Sequence, residues 1–139
     1  MALTLDLTDT ADADDRKAIV EPLAAFNRTK APDAHYRPLN VLLRDEDGDV
    51  MGGLWGRTDW GWLGIELLYV PETSRGQGMG ADIVETAEQE ARARGCHGAW
   101  VNTFAWQGLG FYQSLGYVLF GELPDFPMGY PRHFLQKKL

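Results

Sequence analysis

The chain has 139 residues, 45% hydrophobic and 24% charged, with 20 acidic side chains against 13 Lys and Arg for a net charge of -7. That length supports a core without disulfide or metal staples and predicts one domain spanning residues 1–139. The acidic balance excludes nonspecific nucleic-acid binding, no apolar run reaches the length of a membrane span, and Cys96, the single cysteine, excludes an internal disulfide. A reducing, cytoplasmic setting is the expectation, because residues 1–15 carry five aspartates and no basic residue, unlike a signal or transit peptide. An acidic field also favours cationic partners.

In chain order, Leu3, Leu5 and Leu7 alternate with Thr4, Asp6 and Thr8, which predicts a strand with one buried face. The polar cluster 9–15 caps a helix carrying Ile19, Val20, Leu23, Ala24 and Phe26 at spacings of three and four. Pro22 either kinks that helix or opens a second one. Residues 31–38 are irregular. Residues 39–44 and 50–57 form a hairpin across Asp47-Gly48, and a turn at Thr58-Asp59 leads into a long strand, 60–70.

A glycine-rich loop follows, and then the clearest helix in the chain. Its apolar stripe is Ile83, Val84, Ala87 and Ala91, Glu88 with Arg92 and Glu90 with Arg94 are spaced to pair, and Gly95 ends it. A strand at 99–104, a short helix at 109–115, and strands at 117–123 and 132–138 complete the order. A hairpin meander followed by one crossover predicts an α/β (α+β mixed) fold, a mixed central sheet of about seven strands flanked by helices.

The loop Arg75-Gly76-Gln77-Gly78-Met79-Gly80 joins the central strand to that helix. Glycines let backbone approach a ligand closely, Arg75 adds a cationic fork, and unpaired N–H groups of the helix's first turn favour an anion such as a pyrophosphate. A Walker A loop is excluded because Ala81 and Asp82 follow Gly80 where Lys and Ser or Thr belong. A dinucleotide fingerprint fits poorly, since no second βαβ unit follows.

The loop resembles motif A of the GNAT superfamily of acyl-CoA-dependent N-acetyltransferases, written Arg/Gln-x-x-Gly-x-Gly/Ala, and Gly110-Phe111-Tyr112-Gln113-Ser114-Leu115-Gly116-Tyr117 resembles its motif B. The element order matches as well, so the resemblance spans essentially the whole chain. It implies a GNAT fold whose sheet is splayed at the cofactor site. The backbone of Leu68, Tyr69 and Val70 would meet the pantetheine arm and thioester, and Arg75, Gly76, Gln77, Gly78, Met79 and Gly80 would hold the pyrophosphate of acetyl-CoA. It also implies Glu66 as general base or water-holding carboxylate and Tyr112 as general acid near the cofactor sulfur.

A base, or water leading to one, is needed because an alkylammonium of pKa about 10.4 is neutral only about once in two thousand molecules at pH 7. Tyr69, Asp33 and His35 are lesser candidates for that role. Since a thiol's pKa is about 8.5, Tyr112 assists and orients rather than being indispensable. Asn102, on the facing strand, either bonds the pantetheine arm or ties up backbone left unpaired by the splay. Phe111 and Leu115 read as packing for the short helix. Cys96 lies beside Gly95 at a helix end, direct attack by the amine is favoured over an acetyl-cysteine, and no metal-ligand spacing occurs. Trp60 and Trp62 either line an acceptor pocket with Phe126 and Tyr130 or form a homodimer interface.

The resemblance therefore implies acetyl transfer to a primary amine, of a small molecule first and of a protein N-terminus or lysine second. A non-catalytic acyl-CoA-binding sensor and an ATP- or dinucleotide-binding domain are the rivals of other classes.

Overall fold

A computed structural model describes residues 1–139, which divide into two compact units, Met1–Asp33 and Ala34–Leu139. In the first unit the expected N-terminal strand is absent. Leu3, Leu5 and Leu7 stand 84%, 104% and 101% exposed, without regular structure. Alternation supplies one face of a strand, but a strand forms only where a neighbour takes up its backbone groups. Helix α1 (Ala13–Arg28) begins at Asp12, whose side chain accepts from the backbone of Asp15 while the Asp15 carboxylate accepts from the backbone of Asp12. This capping box satisfies two otherwise orphaned N–H groups. Pro22 lies inside one continuous helix, so no second helix starts there. None of the residues of α1 is buried.

The second unit is a six-stranded mixed sheet, one strand fewer than expected because the stretch around Leu5 does not join it. Its strands are β1 (Arg37–Arg44), β2 (Val50–Asp59), β3 (Trp62–Tyr69), β4 (Gly98–Phe104), β5 (Val118–Leu123) and β6 (Arg132–Lys138), in spatial order β1-β2-β3-β4-β6-β5. The β2–β3 turn falls at Trp60-Gly61, with φ of 45° and 77°, and not at Thr58-Asp59. Two positive φ values in succession match the twist of a two-residue hairpin, and Gly61 takes its share without strain. Thr58 and Asp59 consequently remain in β2, paired with Leu63 and Trp62.

Helix α2 (Met79–Ala93) covers one face of the sheet with the stripe read from its sequence: Ile83, Val84, Ala87 and Ala91 are all at most 3% exposed. Against them pack Leu39, Leu54, Leu63, Ile65, Ala99, Val101 and Leu135, one or two residues from each of five strands. Glu88, also on this helix, is buried, which its spacing to Arg92 does not anticipate. Tyr117 Oη donates to Glu88 Oε2 at 2.7 Å and Lys137 Nζ donates to Glu88 Oε1 at 2.9 Å, fastening α2 to both β6 and the start of β5. Burial, and then this bond to a carboxylate, push the Tyr117 phenol well above its ordinary range.

Candidate active site

The sheet opens between β3 and β4. Their parallel pairing runs from Trp62 with Gly98 to Ile65 with Val101 and stops there. Beyond that point β3 remains paired to β2 as far as Tyr69 with Gly53, while β4 remains paired to β6 as far as Phe104 with Arg132. Each strand is thus held by its outer neighbour, and the inner edges diverge into a V. A β-bulge marks the apex: Trp55 opposes Leu67 and the next residue, Gly56, opposes Ile65, leaving Glu66 as the extra residue. A bulge bends its strand and re-aims side chains. Glu66 Oε1 accepts from Arg57 Nη1 at 2.6 Å, an ion pair at the apex of the V.

The V belongs to a cleft of about 1260 Å³ running from the glycine loop to the ends of β4 and β6. Such a volume exceeds what a single drug-sized ligand fills and suits an extended cofactor with a second substrate. At one end, a short 3₁₀ turn (Glu72–Ser74) carries the chain from β3 into the loop. Gly76 and Gly78 take φ of 75° and 78°, and a Cβ at either would meet nothing within 4 Å. Both therefore expose left-handed backbone to open space at the start of α2, where Gly78 is the N-cap. This backbone fits an anionic group, since unpaired N–H donors and the helix dipole converge on it. Gly80 is closely packed instead: a Cβ there would lie 3.1 Å from the Phe111 ring, which would have to give way by a few tenths of an ångström.

Arg75 donates from Nε to the Val70 carbonyl at 3.0 Å, and its guanidinium lies 5.9 Å from the Tyr69 ring centroid. One edge of the fork thus ties the loop back to the strand that precedes it. Leu68, Tyr69, Val70, Arg75, Gly76, Gly78, Met79, Gly80, Asn102 and Tyr112, the cofactor-contacting residues expected from sequence, all line the cleft, as does Glu66. Gln77 is exposed and does not line it.

Helix α3 (Leu109–Ser114) places Tyr112 beneath the opposite wall, 5% exposed, with edge contacts to Phe111 and Tyr117. Burial pushes its phenol up to about 12, so the hydroxyl keeps its proton at neutral pH and can donate a hydrogen bond. Asn102, immediately past the apex on β4, is already engaged: its Oδ1 accepts from Arg132 Nε at 2.8 Å. Arg132 also lies against two rings, 4.4 Å from the Phe104 centroid and 4.3 Å from that of Phe126. Phe104 stacks on Trp106, and Trp106 meets Tyr130 edge-on, so this end of the cleft is walled by aromatics.

Several sequence candidates lie elsewhere. Trp60 and Trp62 sit at the start of β3 beside Trp100 and Phe120, in a separate depression of about 280 Å³, and neither lines the cleft. Asp33 and His35 do not line it either. Cys96 is 9% exposed, and burial pushes its thiol up, which keeps it protonated and poorly nucleophilic. Arg57 and Arg132 were not singled out by sequence. Their signal is cross-strand register, which places Arg57 one residue past Gly56 at the bulge and Arg132 opposite Phe104.

This arrangement has relatives. Residues 7–117 match the model of the Acetyltransferase (GNAT) family. Over 132 residues the chain is 41% identical to an acetyltransferase of Agrobacterium fabrum, covering 95% of this chain and 96% of that one. It is also 41% identical over 121 residues to the blasticidin-S acetyltransferase of Streptomyces morookaense, covering 84% and 88%. The crystal structure of an acetyltransferase from Agrobacterium tumefaciens superposes with a TM-score of 0.93 at 39% identity, over 99% of this chain and all of that one. An interrupted parallel pair, a glycine cradle opening α2, and these matches make the chain an acetyltransferase belonging to the GNAT family.

Proposed function

We propose that this acetyltransferase moves an acetyl group from acetyl-CoA to a primary amine of a small molecule, by direct attack of the amine on the thioester in a ternary complex. The carrying observation is the pairing that stops at Ile65 and Val101, since it leaves strand-edge backbone free beside a cleft that begins at an anion cradle. Such fixed donors act on developing charge without having to reorganise, which is the usual source of the largest catalytic term. Acetyl-CoA supplies the activated acyl group, its pyrophosphate held at Gly76, Gly78 and Arg75 and its pantetheine along the free edge of β3.

In the step itself the amine nitrogen bonds to the carbonyl carbon, the carbon–sulfur bond breaks, and the amine gives up a proton. Glu66 stands at the apex as one half of an ion pair, so its part is to draw the ammonium and to hold the water that receives the proton. Tyr112 retains its proton up to about 12, some three to four units above an ordinary thiol. Complete transfer to the departing thiolate is therefore uphill, and Tyr112 stabilises it as a hydrogen-bond donor. Replacing Tyr112 with Phe should lower kcat about tenfold, the size of one charge-assisted hydrogen bond, with acetyl-CoA affinity retained.

A small-molecule acceptor is supported by the aromatic walls of the cleft and by the Streptomyces morookaense relative, which is named for blasticidin S and not for a protein. The family match crosses from the first unit into the second, which favours one functional domain over residues 1–139. No helix is long and apolar enough to cross a membrane, and a lone buried thiol suits the cytoplasm. Leu3, Leu5, Leu7, Ile19, Leu23 and Phe26 are exposed apolar side chains of the first unit, and a homodimer would cover them.

Calorimetric titration with acetyl-CoA, using ATP and NAD as controls and Arg75→Ala as the perturbed cradle, tests the cofactor. An amine screen followed by free-thiol release tests the transfer. Selective acetyl-CoA binding weakened in Arg75→Ala, with turnover of small amines, is expected. Binding without turnover of any amine or peptide would favour the sensor, and turnover of peptides alone the protein acceptor.

A further inference from the structure

We infer that the acceptor carries a carboxylate, bound by Arg132, several bonds away from the amine that is acetylated. This deepens the reading of the cleft as an amine acetyltransferase site and rests on it. Two arginines line the cleft, Arg75 and Arg132, and no ion pair engages either. Arg57, Arg92 and Arg94, by contrast, each have a carboxylate within 4.0 Å. Arg75 stands beside the glycine cradle, where phosphate charge is expected. Arg132 stands on the other arm of the V, opposite Phe104 and bonded to Asn102, across from the free edge of β3 along which the uncharged pantetheine would lie. A cation there has nothing in the cofactor to meet, which leaves the acceptor.

The side chain is also fixed before any ligand arrives. Its guanidinium lies between the rings of Phe104 and Phe126, at 4.4 and 4.3 Å, and Nε is committed to Asn102 Oδ1. Stacking holds the guanidinium's orientation and Asn102 takes one edge, so the terminal nitrogens remain to receive a carboxylate in the two-pronged geometry this group favours. Little rotamer freedom is then left to lose on binding, which is the condition under which a charged hydrogen bond adds most to affinity.

Spacing separates the acceptor's two ends. Glu66 is on β3 and Arg132 on β6, with β4 between them and β3 diverging from β4 beyond Ile65, so their backbones are at least two strand spacings, roughly 10 Å, apart. An ammonium drawn to Glu66 and a carboxylate held by Arg132 therefore belong to opposite ends of a molecule. An α-amino acid, with both charges on one carbon, does not span them.

The test uses the full chain, acetyl-CoA and matched acceptors: γ-aminobutyrate and δ-aminovalerate, each with its primary amide, and alanine with alaninamide. The wild type should prefer each ω-amino acid to its amide by about 10- to 100-fold in kcat/KM, mainly through KM, with no such preference for alanine. Arg132→Gln should bring that ratio near one and Arg132→Lys should keep part of it, acetyl-CoA affinity serving as the control for folding. A wild-type ratio near one, or equal losses for acid and amide in Arg132→Gln, overturns the inference. Should no amine be turned over, titration of the coenzyme A-bound protein with the same pairs still decides. Acid-selective binding that Arg132→Gln removes upholds the carboxylate site while refuting amine transfer, and binding of neither partner of a pair overturns the site.

Discussion

Helices α1 and α2 are 16 and 15 residues long, both amphipathic, and each carries at least one acidic residue in its first turn and arginine in its last. Yet α2 buries Ile83, Val84, Ala87, Glu88 and Ala91, whereas α1 buries nothing and leaves Ile19, Leu23 and Phe26 at 69%, 56% and 59% exposed. The same periodicity thus has two outcomes. A spacing of three and four states that one side of a helix is apolar, and says nothing of what covers that side. For α2 the cover is a sheet that its own loop places directly beneath it. For α1, a helix of this length draws little stability from its own hydrogen bonds, so a covering surface decides whether it persists.

The strongest way to separate the helices is to put a carboxylate on each stripe. Ala87 is fully buried, and Ala87→Asp should cost more than about 4 kcal/mol, an unpaired charge in a core with no room for it. Urea titration followed by far-UV circular dichroism would show an unfolded chain or a greatly lowered midpoint. Glu88→Ala should follow at about 3 kcal/mol, because it strands the Tyr117 hydroxyl and the Lys137 ammonium together. Its expected partner from sequence, Arg92, stands at 4.0 Å, so Arg92→Ala should cost well under 1 kcal/mol. Equal losses for the two variants would show that the buried network does not fasten α2.

Alkaline pH addresses the same wall of the second unit more gently. Burial raises the Tyr112 phenol to about 12, above its value of about 10 in an unfolded chain. A raised pKa contributes stability that is complete below pH 10 and lost as pH climbs through 12. By pH 11 the loss is about 1.4 kcal/mol from this residue. Tyr117 is shifted in the same direction. Urea midpoints at pH 9 and pH 11 should therefore differ more in the wild type than in Tyr112→Phe, and an equal difference would contradict the assignment.

The legible parts of the molecule share one property: their meaning is local. The cradle could be read because Gly76 and Gly78 are needed where backbone turns left-handed, and the buried stripe of α2 because its strand, loop and helix follow one another directly. Glu66 could be placed near the splay by its position in the strand, but not its pairing to Arg57, which depends on a bulge set by register with β2. Trp60 and Trp62, close in sequence to Glu66, read as lining an acceptor pocket or a dimer interface, but they stand at the start of a strand whose other end lines the cleft. Arg132 offered no local signal, since its aromatic neighbours Phe104 and Phe126 come from separate segments. Leu3, Leu5 and Leu7 carry the pattern of a strand without its partner.

The smallest expected effect is the counterpart on α1. Leu23→Asp places a charge on a position already 56% exposed, so in dilute protein the urea midpoint should move by no more than about 0.5 kcal/mol. The informative measurement is made against concentration, by light scattering coupled to size exclusion. If a second copy covers the stripe, the wild type should gain mass as concentration rises, while Leu23→Asp should remain at the mass of one chain. Helical signal should then fall in the variant alone, since a 16-residue helix with neither side covered is marginal in water. A wild type that stays at one chain's mass across the range, with full helical signal, would show that α1 is stable uncovered, and the contrast with α2 would then lie in capping and composition rather than in a missing partner.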